Sequence, residues 1–245
     1  MMCRLRTALC GGFAVLLATT IASAWAATSA PRQVVTTFDV YRNGFHIAEM
    51  RETFETTDGT YRIVSESRAI GLLSLFERRP VRFVSSGVLS ADGLRPLRFE
   101  GKRSDDDKRR VRGAFDWDAG RLTIENGAQV QTLPLPRGTQ DRLSFLYQFM
   151  FMAPFKEPRL VLDMTNGRKL GHYLYTLRTG VELDTPLGRM PTVHVVKQHK
   201  PDESGTEIWL AAQHRYLPVK MTITEEDGTR YEQVVTRLVV KESAP

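Results

Sequence analysis

Six turn dipeptides recur along the chain and constrain its fold more than any other feature of the sequence. Asn or Asp followed by Gly favours two-residue hairpin loops, because these residues adopt positive φ angles at low cost. The dipeptides are Asn43-Gly44, Asp58-Gly59, Asp92-Gly93, Asn126-Gly127, Asn166-Gly167 and Asp227-Gly228. The segments between them alternate apolar and polar residues, as strands with one buried face do. We therefore predict an all-β, mainly antiparallel fold: a curved sheet or open β-barrel of about a dozen strands.

One apolar segment interrupts this strand pattern. Eight of the ten residues in 143–152 are apolar or aromatic, and Pro154 follows as a stop signal. Thr139 is a candidate N-cap, and Asp141 suits the first helical turn electrostatically. We predict a helix over about 140–152, lying across the concave face of the sheet and buried on most sides. It divides a single β-rich domain, residues 32–241, into sheet halves of about 32–137 and 159–241.

The first 24 residues have the layout of a secretory signal peptide. Arg4 and Arg6 precede an uncharged stretch that ends in Ala22-Ser23-Ala24, a small-x-small cleavage site, with Ala24-Trp25-Ala26 as a second candidate. The alternative is a retained single-span anchor, for which the stretch is short and rich in Ala and Thr. We expect a periplasmic or secreted protein that keeps no stable transmembrane segment after processing.

Both cysteines lie in this N-terminal segment. Removal of residues 1–24 takes away Cys3 and Cys10, so the mature chain would contain no cysteine. Disulfides, thiolate metal sites and a cysteine nucleophile are then excluded together. The mature fold must be stabilised by its core, which suits one large domain.

Two apolar segments and one tryptophan are candidates for binding a hydrophobic ligand. These hypothetical ligand-binding residues are Phe145, Phe149 and Met150 of the predicted helix, Leu72 and Phe76 of a second apolar segment, and Trp209. The functional interpretation of the second segment, residues 70–76, is a flap over the mouth of a cavity. The alternative for all six is that they fill an ordinary core.

A single basic hairpin carries most of the net charge. The net charge of +6 falls to +4 without residues 1–24, and residues 102–112 contribute +3 of that. Its cations, which we consider for contact with an anionic surface, are Lys102, Arg103, Lys108, Arg109, Arg110 and Arg112. The alternative is a solvated edge hairpin that resists aggregation. The rest of the mature chain is nearly balanced, so we expect no nucleic-acid partner.

Known catalytic patterns are missing from the sequence. It has no G-x-S-x-G, S-x-x-K, H-E-x-x-H, P-loop or G-x-G-x-x-G pattern. We assign no catalytic residue, cofactor or metal, and we favour non-enzymatic binding or escort of a hydrophobic or lipidic ligand. Two alternatives stay open: an assembly factor that binds another envelope protein through a sheet edge, and a hydrolase whose triad comes from distant loops.

Several short motifs resemble one protein family. They are Asp141-Arg142-Leu143-Ser144 with Tyr147, Thr185-Pro186-Leu187-Gly188, Thr192-Val193-His194-Val195, Glu207-Ile208-Trp209-Leu210 and Leu217-Pro218-Val219-Lys220. Over about residues 34–240 the chain is similar to the exported bacterial proteins of domain-of-unknown-function family 3108. The resemblance implies export and a β-rich fold, and it assigns no activity and no site residues. At the level of architecture alone, the predicted fold also resembles periplasmic lipoprotein carriers.

The first prediction concerns processing. The mature protein should begin at Trp25 or Ala27, after one of the two candidate cleavage sites. It should carry no lipid, because Cys10 follows Leu9, where lipid attachment requires a small residue. Intact-mass spectrometry of protein from the native envelope checks this. A mass that retains residues 1–24, or a diacylglycerol adduct on Cys10, would contradict it.

Overall fold

The computed structural model describes residues 30–71, 74, 80–102 and 110–243. The predicted signal peptide, residues 1–24, lies outside these ranges. So do five of the predicted site residues: Leu72, Phe76, Arg103, Lys108 and Arg109.

The described chain forms fifteen strands and one helix. The strands are β1 (Gln33–Arg42), β2 (Phe45–Thr57), β3 (Thr60–Ala69), β4 (Val81–Ser90), β5 (Gly93–Lys102), β6 (Val111–Asp116), β7 (Arg121–Asn126), β8 (Gln129–Pro134), β9 (Gln140–Asp141), β10 (Arg159–Thr165), β11 (Leu170–Thr185), β12 (Gly188–Lys197), β13 (Gly205–Ala211), β14 (Leu217–Thr224) and β15 (Arg230–Lys241). The helix, α1, spans Ser144–Met152. The count exceeds the predicted dozen, partly because strands as short as β9 leave no alternation to detect.

All fifteen strands belong to one sheet that does not close. Its order is β8-β7-β6-β5-β4-β3-β2-β1-β15-β14-β13-β12-β11-β10-β9. The first and last strands pair at the centre, from Gln33↔Lys241 to Arg42↔Tyr231. Two meandering arms extend from this central pair, the first arm from β2 to β8 and the second from β14 back to β9. Every pairing among the described strands is antiparallel except β9 with β10, so the prediction of a mainly antiparallel, open sheet is confirmed.

The predicted hairpin turns are present. In Asn43-Gly44 and Asp58-Gly59 both residues have positive φ, at 48° and 83° and at 47° and 74°. Two consecutive positive φ angles define the turn that matches the twist of two antiparallel strands. The dipeptides therefore set the connections of β1 to β2 and of β2 to β3.

The helix fills the space between the two arms. It contacts β5 of the first arm and β14 of the second. Six of its nine residues are buried, including Phe145, Phe149 and Met150. These side chains join one core cluster with residues of both arms, such as Phe99 and Leu210. The prediction of an apolar helix enclosed by the sheet is confirmed.

The start of the helix differs from the prediction. Thr139 is not the N-cap, and its hydroxyl instead donates to Pro136 O at 2.7 Å. Gln140 and Asp141 pair with β10 as strand β9, so the helix begins only at Ser144. Asp141 acts before the first turn, where Oδ1 accepts the backbone N–H groups of Leu143 and Ser144 at 2.8 and 2.9 Å.

The second prediction tests this core. Phe149 is fully buried and packs on Phe145 and Phe155, with ring centroids 5.0 and 6.1 Å away. Phe149→Ala should therefore lower the free energy of unfolding by about 3–5 kcal/mol. Chemical denaturation measures this loss, with Phe45→Ala as the control because Phe45 is 76% exposed. Equal stability of the two variants would show that Phe149 is not packed as described.

Candidate ligand-binding site

The helix separates the interior of the curved sheet into two cavities. The inner cavity, about 600 Å³, lies at the N-terminal end of α1 and is lined by strands of both arms. Its apolar lining includes Met50, Phe83, Phe145, Ile208 and Met221. A volume of this size lies within the range of about 300–1,000 Å³ that small-molecule sites occupy.

The second cavity, the side cleft, runs along the helix from Phe145 to Met152. It measures about 740 Å³ and is lined by Leu94 and Trp117 of the first arm, by Met152, and by Leu160 of β10. In the described chain, residues 159–163 of β10 pair only with β11, so the other edge of this strand borders the cleft. The cleft is thus the gap where the two arms fail to pair.

The arms meet at the opposite end of β10. Gln131 Nε2 of β8 donates to Arg168 O at 3.0 Å. A Cβ placed on Gly167 would lie 2.9 Å from a Val111 methyl and 3.0 Å from the Phe99 ring, so only glycine fits this approach. The sheet is therefore almost closed beside the inner cavity and open at the side cleft.

A buried carboxyl group lines the inner cavity. Glu52 is only 4% exposed, and its Oε2 accepts the Tyr147 hydroxyl at 3.2 Å. Burial raises the pKa of Glu52, although hydrogen bonds from Ser65 and Tyr147 and the charge of Arg142 act in the opposite direction. Glu52 therefore links β2 to the helix and places a polar group among apolar ones.

Two cations also line the inner cavity. Arg142 lies over the Phe83 ring, with its Cζ 4.5 Å from the centroid. Lys197 Nζ lies 5.5 Å from the centroid of Tyr173 and donates to Ser204 O at 2.5 Å. Burial lowers the pKa of Lys197. The cavity thus combines an apolar wall with a small number of positioned charges.

The Asp141-Arg142-Leu143-Ser144 motif attaches the helix to the first arm. Ser85 Oγ of β4 donates to Asp141 Oδ2 at 2.5 Å. That bond uses the only hydroxyl hydrogen of Ser85, so Tyr61 OH, 3.2 Å away, must donate to Ser85. Ser144 Oγ in turn accepts the Asp141 N–H at 2.9 Å. These hydrogen bonds form a structural network, whereas Arg142 and Leu143 of the same motif line the inner cavity.

The predicted ligand-binding residues that the structure describes lie in three different environments. Phe145 lines both cavities. Phe149 and Met150 are core residues that line neither. Trp209 follows the cavity residue Ile208 in β13 and therefore points to the opposite face of the strand. There it stacks on His194, with ring centroids 4.4 Å apart.

The described cations of the basic hairpin make local ion pairs. Arg112 Nη1 lies 3.0 Å from Glu125 Oε2, and Arg110 Nη2 lies 3.9 Å from Glu100 Oε2. Lys102 ends β5 at an exposed position. Contact of this hairpin with an anionic surface stays a prediction.

Sequence reasoning missed Glu52 and Lys197, although a signal was present. Glu52 has the same strand parity as Met50 and Phe54, and Lys197 has the same parity as Val193 and Val195. A charged residue at a buried-face position of an alternating strand indicates a buried polar site.

Two further observations concern metals and membranes. Within the described ranges, no three His, Cys, Asp or Glu side chains lie close enough together to hold a metal ion. The same residues include no helix with the length and hydropathy needed to cross a membrane.

Comparison with known proteins places the fold among barrel-like proteins. Residues 37–235 match the model of the family described as "Protein of unknown function (DUF3108)". A β-barrel-like protein of domain of unknown function DUF1849 from Brucella abortus superposes with a TM-score of 0.54 at 13% identity, covering 87% of this chain and 100% of that one. This likeness shows the fold alone. Among curated proteins, none is significantly similar in sequence.

Two more distant structures share less of the geometry. A Bacteroides fragilis protein described as exported, with a YmcC-like fold, has a TM-score of 0.36 at 12% identity, covering 84% of this chain and 95% of that one. A Parabacteroides distasonis protein described as a lipoprotein has a TM-score of 0.35 at 9% identity, with coverages of 85% and 97%.

The third prediction concerns the buried carboxyl group of Glu52. Because its pKa is raised in the folded state, the native protein binds more protons than the unfolded chain between the two pKa values. The free energy of unfolding contributed by Glu52 therefore falls as pH rises through this window. Glu52→Gln, which stays neutral, should gain stability relative to wild type as the pH rises above about 4, the ordinary pKa of a glutamate carboxyl group.

Urea denaturation across this pH range measures the difference. Glu49→Gln is the matched control, because Glu49 lies on the same strand at an exposed position and loses the same charge. A Glu52→Gln profile parallel to that of wild type would contradict the assignment.

Proposed function

We propose that this chain, which belongs to the DUF3108 family, acts outside the cytoplasm as a binding or escort protein for a hydrophobic or lipidic molecule held in the inner cavity. The observation that carries the proposal is the cavity of about 600 Å³, lined by apolar side chains from both arms and the helix. The basic head and small-residue exit of residues 1–24 support export.

The lining supports a flexible apolar ligand. Phe145, Tyr173 and Tyr175 form a connected aromatic wall, with centroid distances of 5.2 Å between Phe145 and Tyr175 and 6.4 Å between Tyr175 and Tyr173. Met164 and Met221 add unbranched side chains that adapt to irregular shapes. Each methylene group transferred from water to such a wall gains about 0.8 kcal/mol.

A binding role is favoured over hydrolysis by the placement of the polar groups. Three histidine rings in the described part of the chain hydrogen-bond to carboxylates or to backbone: His172 to Asp163, His194 to Glu207 and His199 to Lys200 O. The inner cavity has no histidine in its lining. Its buried carboxyl group, Glu52, accepts the Tyr147 hydroxyl in a structural contact, and its other carboxyl group, Glu225, is exposed.

A second candidate function rests on the side cleft. One edge of residues 159–163 of β10 has no strand partner in the described chain. This edge lies beside Trp117 in the side cleft. An extended segment of an envelope protein would bind such an edge by strand addition. Crosslinking from a photoreactive residue at exposed Val161 tests this candidate separately.

The fourth prediction tests occupancy of the inner cavity. Met221 lines the cavity and is only partly buried, so Met221→Trp should fill the space at a cost of about 1–3 kcal/mol in stability. We expect its affinity for decanol, a neutral alkyl probe, to fall at least about tenfold relative to wild type. In the wild type, octanol should bind roughly tenfold more weakly than decanol, because it lacks two methylene groups.

Isothermal titration calorimetry measures these affinities. Val130→Trp, at an exposed position on β8, is the control and should bind decanol as wild type does. Absence of alkanol binding in wild type, or equal binding by both Trp variants, would overturn the proposal.

A further inference from the structure

We propose that the inner cavity selects amphiphiles with an anionic head group, a carboxylate or a phosphate monoester, placed beside Lys197 with the alkyl chain directed toward Phe145. The inference rests on the proposed function above and names the ligand class for the same cavity. It depends on the placement of Lys197, on the balance of charges in the lining, and on the aromatic wall.

Lys197 stands where a head group can reach it. It is the last residue of β12 and faces inward, in step with the core residues Val193 and Val195. Its ammonium group lies over Tyr173 and donates one hydrogen bond, to Ser204 O at 2.5 Å. An ammonium has three N–H donors, so this bond accounts for one of them.

The ionisable groups that line the inner cavity favour an anion. The cations are Arg142 and Lys197, and the carboxyl groups are Glu52 and Glu225. Glu225 is exposed, and its Oε2 accepts the Ser204 hydroxyl at 3.0 Å. Glu52 is deeply buried, which favours its neutral form. The two cations therefore face a part of the cavity where burial disfavours a charged Glu52.

Burial of Lys197 adds a reason for an anionic partner. Removal from water disfavours the ammonium, as the lowered pKa of Lys197 indicates. A bound carboxylate or phosphate would supply a charge-assisted hydrogen bond to the same group. A bound anion would therefore offset the cost of burying the Lys197 ammonium.

The aromatic wall sets the direction in which the alkyl chain of the ligand would lie. It runs from Tyr173, beneath the Lys197 ammonium, through Tyr175 to Phe145 on the helix. Ile208 and Met221 face the same space from β13 and β14. A ligand with its head at Lys197 would thus lay its chain against apolar side chains toward the helix.

Four probes test the head-group preference by calorimetry on the whole mature protein: decyl phosphate, decanoate, decanol and inorganic phosphate. In wild type, decyl phosphate or decanoate should bind at least about tenfold more tightly than decanol. Lys197→Met should abolish this preference, so that it binds decyl phosphate and decanoate no more tightly than decanol, whereas Lys197→Arg should retain part of it.

Lys220→Met is the matched control. Lys220 also lies over an aromatic ring, with Nζ 5.3 Å from the Trp209 centroid, but it does not line the cavity. The variant loses the same charge, so it should keep the wild-type preference for the anionic probes. A loss of preference equal to that of Lys197→Met would show only a long-range effect of net charge and would overturn the proposal.

The remaining outcomes separate the two proposals. If wild type binds decanol as tightly as both anionic probes, hydrophobic binding stands and the head-group inference fails. If none of the alkyl probes binds, the proposed function itself fails. If inorganic phosphate binds as tightly as decyl phosphate, the inference is overturned, because the alkyl chain of the ligand would then contribute nothing to the affinity. A difference between decanoate and decyl phosphate identifies the head group.

Discussion

The buried carboxylate of Asp141 is the contact on which the rest of the architecture depends. One oxygen accepts the first N–H groups of the helix, and the other accepts Ser85 of β4. Burial of an unpaired carboxylate would be strongly destabilising, so the site requires all of these donors together. Because they come from the helix start and from the first arm, Asp141 fixes where the helix enters the curved sheet.

The helix in turn determines the shape of the interior. Nine residues are too few for a stable isolated helix in water, so α1 depends on the two arms that bury it. The arms depend on the helix as well, because β5 and β14 contact it from opposite sides of an unclosed sheet. Its placement leaves the inner cavity at its N-terminal end and the side cleft along its flank.

Local signals in the sequence predicted the local parts of this structure. Asn43-Gly44 and Asp58-Gly59 specify hairpins through backbone preferences of adjacent residues, and the apolar run from Leu143 specifies the helix. The helix start was missed because the pairing of β9 with β10 joins residues over 20 positions apart. The cavity was missed for the same reason: Glu52 and Lys197 line one cavity only after β1 and β15, at opposite ends of the sequence, have paired.

Most residues of the family motifs hold the frame of the fold, and Arg142, Leu143 and Ile208 of the same motifs also line the inner cavity. Asp141 and Ser144 hold the helix start, Tyr147 donates to Glu52, and Trp209 packs on the opposite face of β13 from the cavity. These contacts fix the positions of the strands and the helix that form the walls of the inner cavity. Lys197 and Met221 belong to the walls but lie outside the motifs, and substitutions there would change the charge or volume of the cavity without breaking a contact of the frame. The motifs therefore specify the frame and part of the cavity wall, whereas the charge and volume of the rest of the lining come from residues outside them.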